Sequence, residues 1–118
     1  MGLTTSHGCF NGTYSSFLSW RAFICEAAGY GDINKRKGFG GDLEWPDDDP
    51  LVELLVHSDR DGRISFRNCG LIADRPEEII KTAIPGYENE PQYTPGWITL
   101  NWIKGLGLSA SKEADVLF

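Results

Sequence analysis

Asp49-Pro50-Leu51-Val52-Glu53-Leu54-Leu55-Val56-His57-Ser58-Asp59-Arg60-Asp61-Gly62-Arg63-Ile64-Ser65-Phe66-Arg67-Asn68 spells a helix, a turn and a second helix in order. The Asp49 carboxylate is placed to cap free amides, and Pro50 suits the first helical position, where its missing N–H costs nothing. Leu51, Val52, Leu54, Leu55 and Val56 then predict a short, mostly buried helix. Arg60 to Gly62 form a turn, and Ser65 caps a following helix whose apolar side is Phe66, Cys69, Ile72 and Ala73.

Within this stretch, residues 57–68 resemble the calcium loop of the EF-hand family. Asp59 and Asp61 fall on loop positions three and five, Gly62 on six and Ile64 on eight. Gly62 permits the positive-φ turn that folds two carboxylates inward, and Ile64 tethers the loop to a core. The resemblance implies a weak calcium site formed by Asp59, Asp61, Ser65 and Asn68. His57 stands at position one, where calcium takes a hard oxygen, and Asn68 replaces the bidentate glutamate at position twelve. Any affinity is therefore expected on the order of millimolar or poorer. The alternative is that Asp59 and Asp61 hydrogen-bond turn amides without metal.

Working outward, Pro76 is expected to end or kink the second helix, with Glu77 to Ala83 continuing as a further short one. Pro85-Gly86 breaks the chain, and Tyr87 to Gly96 is a polar connector. Trp97, Leu100, Ile103 and Leu106 predict a final helical stripe, and Asp115 to Phe118 a short returning strand. On the N-terminal side, Gly2 to Ser6 is extended and His7 to Gly12 a small-residue loop. Phe17, Trp20, Ile24, Ala27 and Ala28 then mark an amphipathic helix over Ser15 to Ala28, which Gly29 stops. Tyr30 to Asp49 is an irregular loop with a short strand at Leu43 to Trp45. The predicted fold class is α+β: a helix-rich single domain spanning residues 1–118, with the helix-loop-helix and a few short strands. Trp20, Leu54, Ile72 and Ile103 are predicted core residues.

At the opening of the first helix, Gly8, Gly12, Thr13, Ser15 and Ser16 offer free amides and hydroxyls, which attract anions. His7 borders them, and Arg21 with Lys35 and Lys37 of the triplet Lys35-Arg36-Lys37 would neutralise a phosphate. These nine residues are the predicted ligand-binding set, expected to form a pocket or oligomer interface that joins the N-terminal loop to the basic triplet. Phe10, Tyr14, Trp20 and Tyr30 are read either as stacking partners for a base or as core. His7 and Cys9 suggest an imidazole-activated thiol, although no third orienting group is identifiable.

The 118 residues carry a net charge of −6, with 41% hydrophobic and 24% charged residues, an ordinary globular composition. The negative balance argues against general nucleic-acid binding and favours a small anionic ligand or a host protein as partner, with an acidic DNA mimic that occupies a nucleic-acid-binding protein as the alternative. No stretch reaches the ~18 apolar residues of a membrane helix, and no signal peptide is legible at the start. Cys9, Cys25 and Cys69 are an odd, widely spaced set that fits a reduced cytoplasm.

The segments SHGCFNGTYSSFLSWR and HSDRDGRIS, in a chain this short, resemble small proteins encoded by bacterial viruses and prophages. The resemblance implies an accessory binding protein in the host cytoplasm, countering a defence by sequestering a nucleotide-like signal or blocking a host protein. Two alternatives follow from the residues: a weakly calcium-binding interaction module, and a small enzyme using Cys9. No cofactor is assigned beyond weakly bound calcium.

Overall fold

A computed structural model describes residues 2–118. Strand β1 (Gly2–Thr4) pairs antiparallel with β2 (Asn11–Thr13), so that Leu3 faces Gly12 across the hairpin. Helix α1 (Tyr14–Ala27) follows directly and ends in Gly29 at φ 88°. Helix α2 (Leu51–Leu55), strand β3 (Arg63–Ile64) and helix α3 (Phe66–Ala83) form the expected helix-loop-helix. Helix α4 (Pro95–Lys112) packs along α3, and β4 (Val116–Leu117) returns to pair antiparallel with β3. Among the described residues the architecture is α+β, with four α-helices, three short 3-10 turns and two small sheets.

The core forms where the buried faces of all four helices meet. Trp20, Leu54 and Ile72 lie inside it as the sequence predicts. An aromatic cluster of Phe10, Phe17, Trp20, Trp102 and Phe118 fills its centre. Trp20 donates its indole N–H to the Thr99 hydroxyl, which donates in turn to the Pro95 carbonyl.

Two expectations about the helices need correction. Helix α3 runs as one helix through Pro76, which sits buried inside it. Proline removes only one N–H from the ladder, and its apolar ring is covered by the core, so burial outweighs the lost bond. Helix α4 buries Gly96, Thr99, Trp102, Gly105, Leu106 and Ser109, while Trp97, Leu100 and Ile103 are only half-buried. The reason is close backbone approach: a Cβ at Gly105 would lie 2.8 Å from the Cys9 Cα, so the glycine faces inward and the stripe is rotated.

The stretch between α1 and α2 is more ordered than an irregular loop. The Arg36 guanidinium donates to the Tyr30 and Glu44 carbonyls, Trp45 donates to the Lys37 carbonyl, and Phe39 meets Trp45 edge to face. In place of a strand at 43–45 there is a single parallel bridge between Arg36 and Leu43. Asp49 closes the stretch, accepting from Tyr30, from Arg75 at 3.0 Å and from the Leu51 amide at 2.9 Å. No helix of the described residues is long and apolar enough to cross a membrane.

Candidate functional site

Thr13 ends β2 with extended backbone and accepts a hydrogen bond from the Ser16 amide at 3.0 Å, which is why α1 begins at Tyr14. The two hydroxyls also bond each other at 2.8 Å. This opening is one wall of a cleft of about 220 Å³, formed by Phe10, Gly12, Thr13 and Ser16. The other wall is Tyr93, Trp97, Ile98 and Asn101, from the start of α4 and the residues before it. Cys9 and Asn11 complete the lining.

The α4 wall is built by local sequence. Tyr93 stands between Pro91 and Pro95, adopts φ 69° in the left-handed region, and is 77% exposed. Thr94 caps the helix through the Trp97 amide, and the Tyr93 and Trp97 rings lie 5.2 Å apart. The Asn101 side chain reaches the cleft one turn further along and makes no hydrogen bond with the described residues. Asn11 instead accepts from the Thr4 hydroxyl. A second depression, lined by Ser15, Ser19, Trp20 and Pro95, adjoins the cleft and shares Ser16, Tyr93 and Ile98 with it.

Of the predicted ligand set, Gly12, Thr13 and Ser16 meet in the cleft and Ser15 lies beside it. The cations do not join them. Arg21 is only 6% exposed, stacked 3.8 Å over Phe17, and donates to the Leu55 and His57 carbonyls at the end of α2. Burial pushes its pKa down to about 10, partly offset by the nearby Asp59. Lys37 pairs with Glu44, and neither it nor Lys35 lines the cleft. The expected pocket joining the N-terminal loop to the basic triplet is thus replaced by one that joins it to α4. His7, at φ 61°, bonds Ser6 through Nδ1, and neither His7 nor Gly8 lines the cleft.

The thiol reading fails on environment. Cys9 is fully buried, and burial pushes its pKa up to about 12, so almost no thiolate exists near neutrality.

The turn at residues 57–68 keeps the expected local shape. Gly62 adopts φ 93° as required. Asn68 donates to Glu53 and Ser65 caps the Arg67 amide, so two of the four predicted donors serve the fold. The His57 ring stacks on Phe118, and the Phe118 amide donates to the Gly62 carbonyl. No group of three or more His, Cys, Asp or Glu side chains among the described residues is placed to hold a metal.

Trp97, Tyr93 and Asn101 were missed as site residues because Trp97 was counted into the core stripe. The signal was present in Tyr93-Thr94-Pro95-Gly96-Trp97, where a proline-delimited helix start carries two large aromatic side chains. No family model, curated protein or solved structure matches the chain.

Proposed function

We propose that this chain is a small binding protein whose cleft between the N-terminal hairpin and α4 holds a planar heteroaromatic ligand of the nucleoside type. The observation that carries this reading is the pairing of Trp97 and Tyr93 with the unpartnered Asn101 amide in a single concave, largely apolar site. Aromatic faces hold a planar ring, and a few placed polar groups orient it. Asn101 is half-buried and makes no hydrogen bond to the fold, so its amide is open to a ligand.

The biological setting we infer is that of an accessory protein of a bacterial virus, retaining a nucleotide-derived signal without converting it. Support comes from the resemblance of the segments around Cys9 and Gly62 to such proteins. The calcium-module alternative has less support, because Ser65 and Asn68 are engaged in capping and in the Glu53 contact.

Isothermal calorimetry with nucleosides and free nucleobases tests the proposal. Binding is expected for the native chain and is expected to be lost in Trp97→Ala, whose far-ultraviolet circular dichroism should stay native. Equal binding by that folded variant would move the ligand away from the cleft.

A further inference from the structure

The cleft has a charge and a size that narrow its ligand. None of its lining residues is a lysine, arginine or histidine, and the adjoining depression is likewise without charge. The nearest cation in sequence, Lys104, lies three residues beyond Asn101 on α4 but is exposed and outside the cleft lining, and Arg21 has its Nε sealed from solvent and two other nitrogens bonded to carbonyls. The chain as a whole carries −6. A phosphate in this cleft would shed water without gaining a countercharge, which is unfavourable in a site of low polarity. The volume of about 220 Å³ also lies below the roughly 300–1,000 Å³ of sites for larger ligands.

We propose, resting on the binding reading above, that the cleft selects an uncharged nucleobase or nucleoside over its phosphorylated forms, and that Asn101 is the specificity-determining residue. A carboxamide presents one acceptor and two donors, so it pairs in two-point fashion with a base edge that carries an adjacent donor and acceptor, as adenine does. The ring then lies against Trp97, within reach of the Thr13 and Ser16 hydroxyls for a sugar. The occupant is a base or nucleoside; a phosphate on it would meet an uncharged lining on a chain of net charge −6, and binding weakens.

The test is calorimetry at low ionic strength with adenosine, adenosine monophosphate and benzimidazole, a planar ring without the adenine edge, on the native chain, Asn101→Leu and Asn101→Asp. Adenosine is expected to bind at least about tenfold more tightly than its monophosphate. Asn101→Leu should lose about tenfold for adenosine while leaving benzimidazole unchanged, and Asn101→Asp should weaken the monophosphate further. Equal or tighter binding of the monophosphate would overturn the selection for neutral ligands while leaving the cleft as a ring-binding site. An unchanged adenosine affinity in folded Asn101→Leu would overturn the role of Asn101. Failure of all three probes on the native chain would remove the cleft reading and this inference together.

Discussion

The turn at residues 57–68 and the largely apolar cleft at the mouth of α1 both carry polar side chains, and they differ in what those side chains face. In the turn, His57 bonds carbonyls of its own loop, Asn68 bonds Glu53, and Asp115 reaches in from the C-terminal strand to accept from the Phe66 amide. In the cleft, Asn101 makes no hydrogen bond to the described residues, and the Trp97 and Tyr93 rings lie 5.2 Å apart. The turn resembles a ligand site in sequence, yet His57, Ser65 and Asn68 serve the fold there, whereas the cleft has no motif and, although Asn11, Thr13 and Ser16 are bonded locally, leaves Asn101 unengaged. Polar residues mark a binding site only where the backbone has not already claimed them.

That contrast can be broken most decisively at Arg21, which belongs to the engaged class although the sequence assigned it to a ligand. Arg21→Met should cost about 2–4 kcal/mol in urea unfolding, because the Leu55 and His57 carbonyls lose their donors. A loss below half a kilocalorie would place Arg21 back among the free cations. Next in size is Asp115→Ala, which removes the acceptor for the Phe66 amide and the partner of Arg63. A cap of this kind contributes about 1–2 kcal/mol, and thermal denaturation would measure it.

Cys9 sharpens the comparison through pH. Its thiol is raised from an ordinary value of 9.0 to about 12 by burial, so the unfolded chain ionises first as pH rises. The contribution is fully present below pH 9 and is lost progressively as pH climbs toward 12, amounting to about 1 kcal/mol at pH 10. Cys25, Cys69 and Tyr30 are shifted in the same direction by burial and add to the alkaline loss. Urea midpoints at pH 8 and pH 10 should show the fall, reduced in Cys9→Ala; a midpoint independent of pH would mean that the thiol is open to solvent. The smallest stability effect belongs to Asn101→Leu, expected to stay within about 0.5 kcal/mol of the native chain because no bond of the fold is lost. A larger cost would show that Asn101 is an engaged group after all.

The parts of the fold legible in the sequence are those fixed by neighbours along the chain. Asp49 before Leu51, Gly62 at positive φ and Ser65 before α3 all act within a few residues, and each sits where its chemistry required. Helix α4 was misphased because its inward face contains Gly96, Thr99, Gly105 and Ser109, chosen for close approach and hydrogen bonding rather than hydropathy. Leu108 meanwhile stays exposed, so hydrophobic periodicity points to the wrong side. Half of the cleft was legible through Gly12, Thr13 and Ser16. The other half depended on bringing residues near 97 against residues near 12, a contact that no local pattern encodes. The role of Arg36 is not legible in the sequence, because its acceptors, the Tyr30 and Glu44 carbonyls, are backbone groups that leave no mark in side-chain chemistry.

The stacked pair of Trp20 and Trp102, with ring centroids 5.5 Å apart and planes 22° from parallel, has an optical consequence. Two indoles held this close in a rigid, asymmetric core couple their electronic transitions, which gives an intense signed couplet in the ultraviolet dichroism of the folded chain. Trp97 stands apart from that pair at the edge of the cleft, where its emission responds to whatever lies against it. The chain therefore carries indoles in distinct settings, a stacked pair in its interior, Trp97 at the edge of its cleft and Trp45 against Phe39.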